Sequence, residues 1–380
     1  DLMLRDELNS KSLRAVETAI FAISLEDGVD ATDEDCGKSC FHGDGTTSWF
    51  DKSFQLKVKE DGNASINIEH SWADAPVPLD MFFTRALPYA EALDETDCIR
   101  SANAALLTTR PAQWPAPTLL EWNKTDKVRA AVQHAQAQLS EAIADSDVSV
   151  YRCRGLGKPV WKQAKISPDA AIQMAMQLAF RRLAVDPASG PVATYETIGM
   201  RQWRMGRTET CRVVSKHSET FVRTAMDGWL KDRSEAKRRE AEAALRAACK
   251  AHIDYILRGQ QGGGVDRHFF GLRMLSPDGS QPDLFKHRLF ADSGSTGCFV
   301  LSSSNNSYIA RPFGGLFGAV MPNGYGICYI PRADEITLCV ESKHSCPETN
   351  SRRFSEMIEE CLRDIATIAG VPDLSGTSKL

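Results

Sequence analysis

The sequence predicts an α/β fold, because strand-like and helix-like segments alternate along its 380 residues. Three observations carry this prediction. Two runs of alternating apolar residues flank Asp61-Gly62, which is typical of a β-hairpin. Ser167-Pro168 precedes a long helical pattern, as an N-cap followed by proline at the first helical position would. Short strand-like runs then precede an amphipathic helix predicted over 352–369.

The individual elements follow from apolar spacing and from turn residues. The hairpin places His70 at the end of a strand, and the polar, glycine-rich stretch 29–48 indicates a loop. The other predicted elements are helices over 11–24, 79–95, 125–144, 168–184, 218–230, 233–258 and 352–369, and strands over 148–153, 192–198, 298–303, 316–321, 325–330 and 336–342.

A proline-rich connection indicates a domain boundary near Pro111. We therefore expect one domain over 1–110 and a second over 111–380. The chain opens on Asp1 within a helix-like segment, so we expect that it was cut from a longer protein whose upstream part could hold an anchor. No run of about 18 apolar residues is present, which excludes a transmembrane helix. The chain ends in Ser378-Lys379-Leu380, which we expect to be a peroxisomal import signal, although a solvated tail would look the same.

Composition narrows the class of protein. With 42% hydrophobic and 25% charged residues, the sequence is typical of a soluble globular chain. The net charge of −5 argues against general nucleic-acid binding. Eleven cysteines cannot all pair and favour a reducing compartment. Cys36, Cys40 and His42 lack a second ligand pair at finger spacing, so no metal site is predicted.

His70 is the strongest catalytic candidate. Asp74 follows it by four positions, so the carboxylate lies one turn onward and could hold the imidazole. A histidine held in this way can act as a general base toward an alcohol or a thiol.

Three lysines suggest an anion site. Lys158, Lys162 and Lys165 are spaced four and three residues apart, so their side chains could converge on one phosphate. Ser167-Pro168-Asp169 then begins a helix whose N-terminus also favours anions. The segment is suited to a phosphorylated cofactor, although a solvated basic loop would look the same.

Three long segments resemble the carnitine/choline acyltransferase family, most closely the carnitine palmitoyltransferases of type I. They are Glu-His-Ser-Trp-Ala-Asp-Ala-Pro (69–76), Gly-Lys-Pro-Val-Trp-Lys-Gln-Ala-Lys-Ile-Ser-Pro-Asp (157–169) and Gly-Arg-Thr-Glu-Thr (206–210). The resemblance implies two α/β domains related to chloramphenicol acetyltransferase. Here residues 1–110 would be only the last part of the first domain, and 111–380 would be the second.

The resemblance also implies roles in catalysis and in binding coenzyme A (CoA). His70 would be the general base, Asp74 would orient it, and Arg207 would brace its surroundings. Ser304 would stabilise the oxyanion. The family usually has Ser-Thr-Ser at 302–304, and Ser303 replaces the threonine here. The CoA-binding residues would be Lys158, Lys162, Lys165 and Asp169.

Carnitine and the acyl chain would meet a further set of residues. Carnitine is a zwitterion, so its carboxylate needs hydroxyls and a cation, and its trimethylammonium group needs an apolar wall. The matching positions are Tyr195, Thr208 and Arg267 for the carboxylate, Ser302 for carnitine, and Phe317 beside the methyl groups. Gly315 would leave the acyl pocket open where short-chain enzymes carry a bulky side chain.

The expected function is reversible transfer of a long fatty acyl group, of palmitoyl type, between CoA and carnitine. Its partners would be acyl-CoA and carnitine, with no permanent cofactor and no nucleic acid. Two alternatives stay open: a peroxisomal medium-chain carnitine acyltransferase, and a catalytically silent paralogue that binds acyl-CoA or acyl-carnitine. Family resemblance points to the mitochondrial outer membrane, reached through an upstream anchor, whereas Ser378–Leu380 points to peroxisomes.

Overall fold

The computed structural model describes residues 2–82, 116–184, 190–277, 280–295, 297–307 and 314–371. The chain forms two compact units: the first contains Asp1–Ala31, Ser39–Ile143 and Ile309–Arg311, and the second contains Thr32–Lys38, Ala144–Tyr308 and Pro312–Leu380. Most of the predicted helix 79–95, the predicted boundary near Pro111 and the Ser378–Leu380 terminus lie outside the described residues. The domain boundary therefore stays a prediction.

The first unit contains a three-stranded sheet. Its strands are β1 (Ala22–Glu26), β2 (Phe54–Lys59) and β3 (Ala64–Ile68), with β1 parallel and β3 antiparallel to the central β2. Phe54 pairs with Ile68, and Gly62 adopts the positive φ of +82° that the turn requires. The predicted hairpin is therefore confirmed. The helices that lie wholly or mostly in this unit are α1 (Glu7–Thr18), α3 (Pro76–Leu79) and α4 (Asp126–Ala144).

Two predictions for the first 50 residues were wrong. The helix predicted over 11–24 ends at Thr18, because the chain then extends and β1 pairs with β2. The stretch 29–48, predicted as a loop, contains helix α2 (Asp33–Phe41). The Thr32 hydroxyl accepts a hydrogen bond from the Asp35 amide (3.1 Å), and three acidic residues in the first turn suit the helix dipole.

The second unit is built on a six-stranded mixed sheet in the order β4-β9-β8-β7-β5-β6. The pairs β5–β7 and β7–β8 are parallel, and the other three neighbouring pairs are antiparallel. The strands are β4 (Ser146–Arg154), β5 (Thr194–Gly199), β6 (Thr208–Arg212), β7 (Leu301–Asn305), β8 (Tyr325–Pro331) and β9 (Glu335–Lys343).

Helices supply the rest of the second unit. The main ones are α5 (Lys158–Ala164), α6 (Pro168–Leu183), α7 (Lys216–Thr224), α8 (Glu235–Arg258), α9 (Asp266–Leu275) and α12 (Ser351–Ile368). Short helices α10 (Asp283–Lys286) and α11 (Arg288–Phe290) and π-helical turns at Ala225–Trp229, Gly259–Gly263 and Ala291–Ser295 complete it. None of the helices in the described ranges is both long and apolar enough to cross a membrane.

Helix α6 forms the centre of the core. Every residue from Ala170 to Ala179 is buried, so this helix is enclosed on all sides rather than amphipathic. It packs against α12 and α8, and the apolar side chains of β8 and β9 complete the same cluster. The first turn of α6 is therefore fixed, and that turn contains Asp169.

The strand predicted over 316–321 was wrong. The backbone is irregular there, and the Ala319 amide donates a hydrogen bond to the Glu341 carboxylate (2.6 Å) rather than to a neighbouring strand. Helices α5 and α9 and strand β6 were not among the predicted elements. The remaining predicted elements of this unit are present within a few residues of their expected bounds.

Candidate functional site

Side chains of the central strands alternate between the two faces of the six-stranded sheet. Across the parallel pair β5–β7, Tyr195 is aligned with Ser302 and Glu196 with Ser303. Aligned residues point to the same side, so Tyr195, Ser302 and Ser304 share one face, which we call the serine face. Glu196 and Ser303 point to the opposite side, which we call the helix face because α6 and α8 contact it.

On the serine face, the structure brings together the three residues predicted to bind a carboxylate. The Arg267 guanidinium donates to the Thr208 hydroxyl (3.1 Å) and lies 3.5 Å from the Tyr195 hydroxyl. The Thr197 hydroxyl also donates to the Tyr195 oxygen (3.2 Å). One cation and neighbouring hydroxyls therefore converge, and this is a donor set that suits a carboxylate.

An ion pair places Arg267. The preceding residue, Asp266, accepts a hydrogen bond from Arg212 Nε on β6 (2.9 Å), and this contact fixes the start of α9. The Arg267 amide donates to Glu209 (3.3 Å). Both contacts tie α9 to β6, which also carries Thr208, so the cation and the hydroxyl are held on connected elements.

The three serine hydroxyls of strand β7 point to different faces of the sheet. Ser302 is buried, and the Ser304 hydroxyl lies 3.4 Å from the Asn306 side-chain oxygen. Ser303 is fully buried; its hydroxyl donates to the Tyr195 carbonyl (2.7 Å) and accepts from Gln173 (2.9 Å). The position that departs from the family pattern therefore belongs to the helix face.

His70 lies in the first unit, two residues after β3. Its side chain is 73% exposed, and Nδ1 lies 3.6 Å from an Asp74 carboxylate oxygen. This is ion-pair distance rather than hydrogen-bond distance. The Trp72 indole donates to the Ser53 carbonyl (2.7 Å) and anchors the turn that follows. The pairing predicted from the four-residue spacing is therefore present, while the catalytic role stays a prediction.

The lysine segment is helical. Lys158 and Lys162 lie four residues apart in α5, and Lys165 follows as its C-cap with a left-handed φ of +55°. All three side chains are exposed, and no carboxylate in the described part of the chain forms an ion pair with them. Gly157 is required before Lys158, because a Cβ there would lie 2.2 Å from the Ala333 carbonyl oxygen.

Three other predicted positions lie on loops. Arg207 is exposed just before β6. Gly315 and Phe317 lie in the irregular segment that precedes β8. A Cβ built on Gly315 would lie 3.0 Å from the Asn306 side-chain nitrogen and 3.6 Å from the Cys328 sulfur, so space at this position is narrow. The roles assigned to these residues stay predictions.

On the helix face, the structure contains a buried ionisable cluster that the sequence analysis missed. It joins Asp169 from α6, Glu196 from β5, His252 from α8 and Tyr329 from β8. His252 Nε2 lies 3.2 Å from an Asp169 oxygen and 3.1 Å from a Glu196 oxygen. The Tyr329 oxygen lies 2.7 Å from Asp169 and 2.6 Å from Glu196. Asn305 donates to Asp169 (2.6 Å).

Burial and pairing act on these groups in opposite ways. Burial raises the pKa of Glu196, and the charge of Asp169 raises it further, to about 7. Burial lowers the pKa of His252 and is the largest single effect, but the contacts with Asp169, Cys211 and Glu196 together outweigh it and raise the pKa of His252 to about 12. Burial would raise the pKa of Asp169, yet the hydrogen bond and charge of His252 lower it. At neutral pH the cluster therefore pairs an imidazolium with the Asp169 carboxylate.

Within the described residues, only Glu196, Cys211 and His252 are grouped closely enough to hold a metal ion. The Cys211 sulfur lies 3.8 Å from His252 Nδ1, and burial raises the pKa of this thiol. A metal would require thiolate and neutral imidazole. The imidazolium already pairs with Asp169, and the raised pKa values of Glu196 and Cys211 favour their neutral forms, so the donor set does not call for a cation.

Comparison with known proteins gives one family. The sequence profile of choline/carnitine O-acyltransferase matches residues 1–360. Human carnitine O-acetyltransferase is 32% identical over 378 residues, covering 96% of this chain and 56% of that protein. Carnitine O-acetyltransferase of Columba livia gives the same identity and coverage. Human choline O-acetyltransferase is 30% identical over 379 residues, covering 97% and 48%. The chain thus spans about half the length of these relatives.

Solved structures resemble the chain more distantly. The condensation domain of the monacolin K polyketide synthase gives a TM-score of 0.44 at 10% identity, covering 93% of this chain and 80% of that one. The wax ester synthase/diacylglycerol acyltransferase of Marinobacter aquaeolei gives 0.37 at 8% identity, covering 92% and 80%.

Replacing His252 by Leu should destabilise the protein. The change leaves the Asp169 carboxylate without its cation in a largely buried site, and such a loss costs about 3–5 kcal/mol. Urea unfolding at pH 7, followed by tryptophan fluorescence, measures the free energy of unfolding. His217 is exposed, so His217→Leu is a matched control expected to stay within about 0.5 kcal/mol of the parent. Equal effects of the two changes would contradict the ion pair.

Proposed function

The chain belongs to the choline/carnitine O-acyltransferase family, and from this premise we propose that it transfers an acyl group longer than acetyl between CoA and carnitine. CoA is a co-substrate in this family, which has no permanent cofactor. The predicted α/β acyltransferase fold is confirmed by the family match and by a mixed α/β architecture with two sheets. The choice of carnitine, the chain length and the roles of individual residues are the proposal.

The contact between Arg267, Thr208 and Tyr195 is the observation that favours carnitine over choline as the substrate. Carnitine and choline share a trimethylammonium group and a hydroxyl, but only carnitine has a carboxylate. Arg267 is a permanent cation, and its guanidinium already lies beside two hydroxyls on one face of the sheet. A choline enzyme has no use for such a site, whereas a carnitine enzyme requires one.

The chemistry that we assign to His70 is one proton transfer. Asp74 faces Nδ1, so Nε2 is the nitrogen that takes the proton from the carnitine hydroxyl. The oxygen then attacks the thioester carbonyl carbon, and the bond to sulfur breaks. The proton passes from the imidazolium to the departing CoA thiolate. The serine face contributes Ser304, whose hydroxyl donates to the oxygen that becomes negative in the transition state.

CoA binding is assigned to the lysine segment. The exposed amino groups of Lys158, Lys162 and Lys165 suit the 3′-phosphate, which lies outside the reacting group and so contributes binding rather than chemistry. Asp169 follows in the first turn of α6 and directs its carboxylate to His252, Tyr329 and Asn305. We therefore assign Asp169 to supporting the CoA site rather than to contacting a phosphate.

The altered Ser302–Ser304 triplet is the one sequence feature that favours the silent-paralogue alternative. The serine that replaces threonine, Ser303, points to the helix face and contacts Gln173 and the Tyr195 carbonyl. The two hydroxyls of the serine face are unchanged from the family pattern. This observation favours an active enzyme over a silent binder.

Replacing His70 by Ala should abolish transfer while leaving the fold intact, because the side chain is mostly exposed. General-base catalysis contributes about 10²–10⁴-fold, so kcat should fall by at least 100-fold. The assay follows free CoA released from palmitoyl-CoA and carnitine by the full-length protein. His134→Ala, another exposed histidine of the first unit, is the matched control and should keep its activity. A protein with no carnitine-dependent activity, or one unaffected by His70→Ala, would contradict the proposal.

Replacing Arg267 by Gln should raise the KM for carnitine without raising the KM for acyl-CoA. A hydrogen bond to a charged group contributes about 1.5–3 kcal/mol, and each 1.4 kcal/mol is tenfold. We therefore expect an increase of about 10- to 100-fold. Arg273→Gln changes an arginine of the same helix that stacks on Phe270 and is the control. If choline is the substrate, Arg267→Gln will leave its KM unchanged.

Replacing Gly315 by Met should lower kcat/KM for palmitoyl-CoA by tenfold or more while acetyl-CoA is still used. The reason is steric, because Asn306 and Cys328 already bound the space at this position. The ratio of kcat/KM for acetyl- and palmitoyl-CoA measures the shift. Gly190 faces open space, so Gly190→Met should keep the parent ratio. The relatives compared above are named acetyltransferases; a parent protein that uses only acetyl-CoA would place it with them.

A further inference from the structure

We propose that Glu196 is a neutral carboxylic acid on the acid side of neutrality, and that it is a positioning residue for acyl transfer. In this role Glu196 and its partner His252 fix the strands that carry the carnitine and oxyanion positions. The kinetic part of this inference rests on the proposed function. The protonation of Glu196 does not depend on it.

Counting protons gives the first argument. The Tyr329 oxygen lies 2.6 Å from a Glu196 oxygen, 2.7 Å from an Asp169 oxygen and 3.0 Å from the Gln173 amide nitrogen. A phenol has one proton to donate. If both carboxylates were ionised, one of the two short oxygen–oxygen contacts would join two acceptors. A second proton must therefore lie in one of these contacts.

Burial assigns that proton to Glu196. The Glu196 side chain is 3% exposed, whereas that of Asp169 is 19% exposed. Asp169 also accepts from Asn305 (2.6 Å), and this contact stabilises its ionised form. Glu196 then donates to the Tyr329 oxygen, and Tyr329 donates to Asp169. With His252 protonated, one positive and one negative charge remain, so the buried cluster is neutral overall.

The cluster lies on the helix face and holds the same strands that carry the side chains of the serine face. Glu196 lies between Tyr195 and Thr197 on β5, so a shift of Glu196 moves the carnitine positions with it. Tyr329 extends the contact to β8, and Asn305 extends it to β7, directly after Ser304. Three adjacent strands are therefore joined by one hydrogen-bond network, in which the contact between Glu196 and Tyr329 depends on the proton of Glu196.

Loss of that proton should loosen this arrangement. The titratable groups that face Glu196 in the described structure are Asp169 from α6, Cys211 from β6, His252 from α8 and Tyr329 from β8. Burial and the charge of Asp169 raise the pKa of Glu196 to about 7. Above that pH, a second carboxylate would repel Asp169 and would lose its donor contact with Tyr329. Activity should therefore fall, by about tenfold for each pH unit above the pKa.

Glu196→Gln is the test, because an amide keeps the shape of the neutral acid and still donates to Tyr329 but cannot ionise. We expect the variant to keep the parent kcat/KM for carnitine at pH 6.5 and to lose the decline above pH 7. Glu196→Ala should be impaired at every pH. Only the falling limb of the pH profile is compared among the three proteins.

Glu359→Gln is the matched control. Glu359 also accepts a hydrogen bond from a tyrosine (2.5 Å), but this tyrosine is Tyr151 of strand β4, and both residues lie outside the cluster. This variant should keep the parent pH profile. A Glu196→Gln protein that retains the falling limb, or that is folded yet inactive at pH 6.5, would overturn the positioning role.

Infrared difference spectroscopy between pH 6 and pH 9 tests the protonation without any assay of activity. The parent should show the carbonyl band of a carboxylic acid disappearing on the basic side, and Glu196→Gln should lack this band.

Thermal unfolding also tests the protonation of Glu196. Since the pKa of Glu196 is raised from 4.5 to about 7, its proton contributes stability that is complete below pH 4.5 and lost as the pH rises through 7. A parent without the band would refute the neutral acid, whatever the enzyme proves to transfer.

Discussion

The contact of His252 with Asp169 and Glu196 holds the centre of the second unit together. Asp169 belongs to the first turn of the most buried helix, Glu196 to a central strand, and His252 to the long helix α8. An unpaired ion at this depth would cost several kcal/mol, so none of the three groups can be moved independently of the others. The contact therefore fixes the helix against the sheet.

The period of two in a β-strand lets one short segment serve both the core and the site. On β5, Tyr195 meets Arg267 on the serine face, while its neighbour Glu196 meets the cluster on the helix face. On β7, Ser304 and Ser303 divide in the same way. Because neighbouring residues of a strand point to opposite faces, the buried network on the helix face also fixes the positions of the polar side chains on the serine face. No substrate needs to contact this network.

Local patterns in the sequence carried the features that depend on near neighbours. The hairpin before His70 and the pairing of His70 with Asp74 both involve residues only a few positions apart. The cluster joins residues that are far apart in sequence, and the sequence alone gave His252 no partner. The strand expected over 316–321 failed for a related reason: a distant carboxylate, Glu341, takes the Ala319 amide that a strand would have used.

The Ser302–Ser304 triplet shows why the sheet face to which a side chain points matters more than its residue type in interpreting such a motif. Ser303 stands where the family usually has threonine, and in the sequence this looked like a change at the oxyanion site. In the fold its hydroxyl bridges Gln173 and the Tyr195 carbonyl in a fully buried position. A threonine keeps that hydroxyl and adds a methyl group, so the difference concerns how tightly α6 packs on the sheet. The substitution therefore changes the packing beneath the site, and the donors of the serine face are the same in both versions.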